Sequence, residues 1–207
     1  YIRAHPEVKI VGVIPEDGYG MCHCPRCVAQ DLDPQAAWKH GEQRNDSKSR
    51  RYAKLINAVA DAVRDECPDV RIGGAAYVDL SWPPPGVKIA ANTVFWVALY
   101  WRDSSRPMVP GHTSDRNEKF CRILKEWKEV YPGRLIVYEY YMGMNAQCSL
   151  PYPISETICR DWDHLKALGI GGATIQCWSS NHSAYALNNL AFARCGPLHW
   201  HRSVGPR

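Results

Sequence analysis

Phenylalanine is scarce in this chain, with three residues among 207, beside eight tryptophans and eleven tyrosines. No run is apolar for long enough to cross a bilayer, and no secretory leader is present. Basic residues gather only at Lys48–Arg51 (KSRR), which reads as the solvated start of a helix. With a net charge of +4, that leaves no footprint for a nucleic-acid partner. There is no Walker loop, no G-x-G-x-x-G fingerprint, no H-E-x-x-H pair and no Ser-His-Asp order. The usual signatures of nucleotide, zinc-protease and serine-hydrolase chemistry are therefore missing.

What is present is aromatic surface with polar handles. Trp and Tyr join a large apolar area to a hydrogen-bonding tip, which suits half-buried binding surfaces better than a dry core. The apolar fraction of 45% and charged fraction of 22% are those of an ordinary globular chain. A length of 207 residues allows one domain with a sizeable core. The first residue is Tyr1 rather than Met, so the chain reads as a fragment, and the missing leader says nothing about location.

Five short apolar runs punctuate the sequence: Val8–Pro15 (VKIVGVIP), Val70–Tyr77 (VRIGGAAY), Thr93–Tyr100 (TVFWVALY), Arg134–Tyr141 (RLIVYEYY) and Gly171–Trp178 (GGATIQCW). Continuous apolar character with β-branched residues predicts strands buried on both faces. Between them lie amphipathic helices over Ser49–Glu66, Arg116–Tyr131 and Ser155–Gly169, with a short one over Tyr185–Arg194. The first should bury Tyr52, Leu55, Ile56, Val59 and Val63; Gly169 should close the third. Tyr1–Glu7 reads as the end of a helix, Trp82–Pro85 as a stiff exposed segment, and Trp101–Asp115 as a long functional or mobile loop.

Strands alternating with helices predict βαβ units and a parallel sheet. The simplest fold with that rhythm is a (β/α)8 barrel, which needs about 250 residues, so five units would be its carboxyl-terminal part. On this reading residues 1–198 form a partial barrel and 199–207 an irregular tail. An open doubly wound sheet competes, but it predicts a glycine-rich phosphate turn after the first strand. Glu16–Gly20 (EDGYG) lacks that spacing.

Parallel α/β folds place their chemistry at the carboxyl ends of strands. Here those ends carry carboxylates and aromatics, a combination that suits a sugar: carboxylates act on glycosidic bonds and aromatic faces stack on pyranose rings. Asp17 follows the first strand, and Glu139 stands inside an apolar run, where burial would raise its pKa toward that of a general acid. These two are the expected catalytic pair. Glu16, Tyr77, Tyr100, Trp101, Tyr140, Gln176, Trp178, Asn181 and His182 are the expected sugar contacts.

Nine cysteines are too few for a disulfide scaffold and, being odd in number, leave at least one thiol unpaired within the chain. Cys22, Cys24 and Cys27 form C-x-C-x-x-C around His23. Zinc, a local disulfide and free thiols all fit this spacing. No second C-x-x-C exists; Cys121, Cys148 or His182 would complete a zinc site if the fold brought one of them near. A structural role, metal or disulfide, ranks above a catalytic one, and no cofactor is otherwise required.

The stretches VKIVGVIPEDGYGMCHCPRC, SRRYAKLINAVADAV, NEKFCRILKEW, LIVYEYY, LPYPI and GIGGATIQCWSS through ALNNLAFA together resemble the family catalogued as domain of unknown function 4838. That family is similar at a distance to barrel glycoside hydrolases such as α-glucuronidases and β-hexosaminidases. The resemblance implies a partial barrel, a carbohydrate partner and a secreted or periplasmic location. Two departures stand out. The family's Asn-Asp-Gly loop is Glu16-Asp17-Gly18 here, so only Asp17 carries over, and its Trp-Asp-Pro ending is replaced by Cys195-Gly196-Pro197-Leu198. The expected function is a glycan-hydrolysing domain; the alternative is a barrel that binds carbohydrate or a partner without hydrolysis and carries a structural cysteine loop.

Overall fold

The computed structural model describes residues 1–15, 21–31, 48–111, 113–142, 151–177 and 183–196. Strands and helices alternate: β1 (Ile10–Gly12), α1 (Pro25–Val28), α2 (Ser49–Arg64), β2 (Arg71–Ala76), β3 (Thr93–Ala98), α3 (Asp115–Val130), β4 (Arg134–Met142), α4 (Ser155–Ala167), β5 (Ala173–Cys177) and α5 (Ala186–Cys195). Each strand falls within one of the five apolar runs, save that β4 runs one residue past Tyr141 to Met142; β1, β2 and β3 pair in parallel, and so do β4 and β5. The chain divides into two compact units, Tyr1–Ala98 with Ile123–Leu135, and Leu99–Arg122 with Ile136–Arg207. No helix among the described residues is long and apolar enough to cross a membrane.

In the first unit β2 lies between β1 and β3, with Ile10 opposite Arg71 and Ile72 opposite Thr93. The glycine pair in β2 is a packing requirement. A Cβ on Gly73 would lie 2.8 Å from the Trp96 ring, and one on Gly74 would lie 2.8 Å from Phe95. Phe95 in turn packs 4.9 Å from Trp127 and 5.5 Å from Tyr131, ring centre to ring centre. Tyr52 of α2 ties two strand ends together: its hydroxyl donates to the Val13 carbonyl (2.7 Å) and accepts from the Ala75 amide (2.9 Å).

Several local expectations change in this unit. Residues 1–7 hold a 3-10 turn at Ile2–Ala4 rather than the end of an α-helix. The first strand is three residues long and not buried: Ile10 is 42% exposed, because among the described residues β1 has a neighbour on one edge alone. The buried face of α2 is Ser49, Tyr52, Ala53, Ile56 and Ala60, while Leu55 points outward. Ala53 and Ala60 are buried beside Tyr52 and Ile56, so the buried stripe is rotated from the one that the larger apolar residues predict. Trp82, Pro83 and Pro84 are buried rather than exposed. Trp127 Nε1 donates to the neighbouring Ser81 carbonyl (2.8 Å) and holds that segment inward.

In the second unit β4 pairs with β5, and Leu99 N donates to Tyr138 O (3.0 Å). Helix α4 buries Ile158, Trp162 and Leu165 as their spacing predicts, and Gly169 ends it in the left-handed region (φ 68°). Helices α4 and α5 pack through Trp162 and Phe192, with ring centres 5.5 Å apart, and a Cys159–Cys195 disulfide joins them. Asn188 adds a clamp: Oδ1 accepts from Ile154 N (3.0 Å) and Nδ2 donates to Tyr152 O (2.7 Å).

Candidate functional site

Strand alternation sorts β4 into two faces. Leu135, Val137, Glu139 and Tyr141 are buried, while Ile136, Tyr138 and Tyr140 are half-buried on the other face. The residues just past β3 add Tyr100 and Trp101 to the aromatic set. The Tyr100 ring lies 4.4 Å from Trp101 and 5.1 Å from Tyr140, and Tyr138 lies 5.1 Å from Tyr140. In β5, Thr174 stands opposite Tyr138, so Thr174 and, two residues on, Gln176 share that face. The register shifts between Glu139 and Met142, a local irregularity beside these tyrosines. Trp101 has φ 71°, a left-handed conformation that costs a non-glycine residue about 1 to 3 kcal/mol and collects at ligand sites.

The buried face holds a charged cluster. Asp161, on α4, accepts from Arg102 Nη2 (2.7 Å), from the Tyr141 hydroxyl (2.7 Å) and from Met108 N (2.5 Å). Glu139 is 1% exposed; its Oε1 lies 3.6 Å from Arg102 Nη1, and its Oε2 accepts a long bond from Tyr140 N (3.2 Å). Arg102 also sits 5.1 Å over the Tyr141 ring. One guanidinium thus faces two carboxyls. Burial raises both pKa values and Arg102 opposes the rise; Glu139 is pushed up to about 7. Asp161 has three close donors where Glu139 has longer contacts, so of the two carboxyls Glu139 is the one the fold holds nearer its neutral acid.

This assignment has a pH consequence. The folded-state pKa of Glu139 lies above its ordinary 4.5, so the fold favours the neutral acid. That contribution is fully present below about pH 4.5 and is lost as pH rises toward about 7. Gln mimics the neutral form at every pH. Thermal melts across this window should therefore show Glu139→Gln gaining on the parent chain as pH rises. A difference that stays constant with pH would rule out the buried neutral acid.

Beside this cluster a cavity of about 510 Å³ is lined by Arg102, Asp103, Ser105, Ser114, Arg116 and Tyr152, among others. Its loop is pinned rather than loose. Asn117 is fully buried and donates to the carbonyls of Asp103 (2.9 Å) and Arg106 (3.0 Å), while its Oδ1 accepts from Asp103 N (2.9 Å). The Asp161–Met108 bond fixes the middle of the same loop.

In the first unit, Tyr77 is half-buried at the end of β2. Val78 follows it with φ 53°, a strained position for a β-branched residue. Asp79 is buried and paired with Lys48 (2.7 Å). Cys22, Cys24 and Cys27 come together, with their sulfurs within 4.8 Å of one another. Cys121 lies in the second unit with its Sγ on the Met108 carbonyl. Asp17, Glu16, Trp178, Asn181 and His182, like Cys148, lie outside the described residues.

A family model described as a domain of unknown function, DUF4838, matches residues 1–189. The chain belongs to the DUF4838 family. No curated protein and no solved structure matches it. For this DUF4838 chain the structure joins Tyr100, Trp101 and Tyr140 and puts Gln176 on the face that carries Tyr138. It puts Glu139 on the opposite face. Sequence reasoning did not select Tyr138, Arg102, Tyr141 or Asp161 as site residues. Asp161 was the most legible of these: it shares the apolar stripe of Ile158, Trp162 and Leu165, where a lone carboxylate requires a partner.

Proposed function

We propose that this DUF4838 domain is a carbohydrate-active domain of partial-barrel type that holds a glycan on the aromatic array of Tyr100, Trp101, Tyr138 and Tyr140. The observation that carries the reading is the array itself: four large rings in successive contact, half-buried on β4 and just past β3, one of them kept in a strained backbone conformation. Pyranose rings present apolar C–H faces to such platforms and hydroxyls to their polar edges. Gln176 and the hydroxyl-rich wall of the nearby cavity supply hydrogen-bonding groups of the kind a polyol needs. The Cys159–Cys195 disulfide supports an exported location, since such bonds persist in oxidising compartments.

Hydrolysis is the second reading, with Glu139 as the acid and Asp17 as the other carboxylate. The raised pKa of Glu139 favours it. The burial of Glu139 and its place on the face away from the tyrosines favour binding as the primary role.

Titration calorimetry against a broad panel of soluble glycans tests both readings. Binding should weaken roughly tenfold or more in Trp101→Ala and in Tyr140→Ala, as expected for loss of a stacking ring worth about 1.5 kcal/mol. Failure to bind any glycan, or equal affinity in both variants, would remove the proposal. Release of reducing sugar that disappears in Asp17→Asn would move the assignment to hydrolysis.

A further inference from the structure

We infer that Cys22, Cys24 and Cys27 form a three-thiolate site for a zinc-class divalent cation, with the fourth coordination position open to water. Their three sulfurs lie within 4.8 Å of one another, without help from a distant part of the chain. Thiolates tetrahedrally arranged on zinc, at about 2.3 Å from the metal, stand about 3.8 Å apart. Small side-chain rotations would close that gap. Cys22 and Cys24 are exposed and Cys27 is half-buried, so a cation can reach the cluster and solvent can fill its open side.

The backbone explains why the sulfurs converge. Cys24 is extended (φ −63°, ψ 155°), and Pro25 begins the short turn of α1 that follows. Cys27 N and Val28 N both donate to Cys24 O at 3.0 Å, folding Cys27 back over Cys24.

Charge and anchoring fit the same occupant. Three thiolates and a dication leave one net negative charge. Arg51, on α2, donates from Nη1 to the Cys22 carbonyl (2.6 Å) and pairs through Nε with Asp31 (2.9 Å). Both of those side chains are less than a tenth exposed. One buried guanidinium therefore ties down the segment near both ends, and Lys54 on Gln30 (3.3 Å) adds a second tie. A disulfide would use two of the three sulfurs and leave the third without a role; a cation uses all three.

The test uses the full chain, purified under reducing conditions without chelator. Elemental analysis should find one zinc per chain. Cobalt(II) added to zinc-stripped protein should give the intense visible bands of a tetrahedral site with near-ultraviolet sulfur-to-cobalt charge transfer. Stoichiometric zinc should be lost in Cys22→Ser, Cys24→Ser and Cys27→Ser and kept in Cys67→Ser, a free cysteine outside the cluster. Should a variant fail to fold by circular dichroism, the cobalt spectrum of the parent chain still decides. A disulfide between any two of the three, found by intact-mass analysis of the purified chain, would overturn the site. So would a cobalt spectrum without sulfur charge transfer, or full zinc content in folded Cys24→Ser.

Discussion

Replacing Arg102 with methionine should destabilise the fold by about 3 to 5 kcal/mol, the usual result of removing one partner from a buried ionic cluster. The reason is the charge balance around it. Arg102 is the cation paired with both Asp161 and Glu139, and the three side chains are 2% exposed or less. Without it, Asp161 retains the Tyr141 and Met108 donors but has no counter-charge. Methionine fills much of the volume, so lost packing is not the main term. Denaturant unfolding of Arg102→Met, Asp161→Asn and the double variant forms a cycle. The double variant should be less destabilised than the sum of the two single ones, because each single change leaves a partner behind. Additive losses would mean that the pair is not coupled and that the cluster does not hold β4 to α4. Lysine should not rescue, since it lacks the planar fork that reaches Asp161 and Glu139 together.

Cys195→Ser should cost about 4 kcal/mol. The Cys159–Cys195 bond closes a loop with a sequence separation of 36, and the chain-entropy account gives about that value for a loop of this length. For a chain of this size the melting temperature should drop by about 10 °C. The remaining contacts between α4 and α5, Trp162 against Phe192 and the Asn188 clamp, should keep the helices paired. Reducing agent should lower the parent chain to the level of the variant and leave the variant unchanged. Equal melting temperatures for oxidised parent and variant would show that the bond adds nothing to the native fold.

The legible part of this protein was periodic. Five apolar runs became five strands, and spacing placed Phe120, Ile123, Leu124 and Trp127 and Ile158, Trp162 and Leu165 on buried helix faces, although Val130, expected on the first face, is exposed and Leu168, expected on the second, is half-buried. Local chemistry was legible too: the C-x-C-x-x-C spacing alone brings three sulfurs together, because the residues are near neighbours in the chain. Glu139 was recognised as a buried carboxylate because an acid inside an apolar strand has few other outcomes.

What periodicity could not supply was which neighbour covers which face. Leu55 and Ile56 are equally apolar, yet Ile56 is buried and Leu55 is not; Ala53 and Ala60 are buried beside Ile56, so the stripe is rotated from the one that the larger apolar residues predict. Of the three prolines that read as exposed, Pro85 is, but Pro83 and Pro84 are buried, where Trp127, far along the chain, draws their neighbour Ser81 inward. Nothing in the sequence says that Cys159 pairs with Cys195, because both helices must pack before the two sulfurs meet. The sequence by itself determined that this chain would alternate strand and helix, with tyrosines and a tryptophan on and just past the strands. Tertiary structure decided that Tyr138 and Tyr140 would face one side of β4 and Glu139 the other, because alternation along a strand separates neighbours and packing alone decides which side is closed.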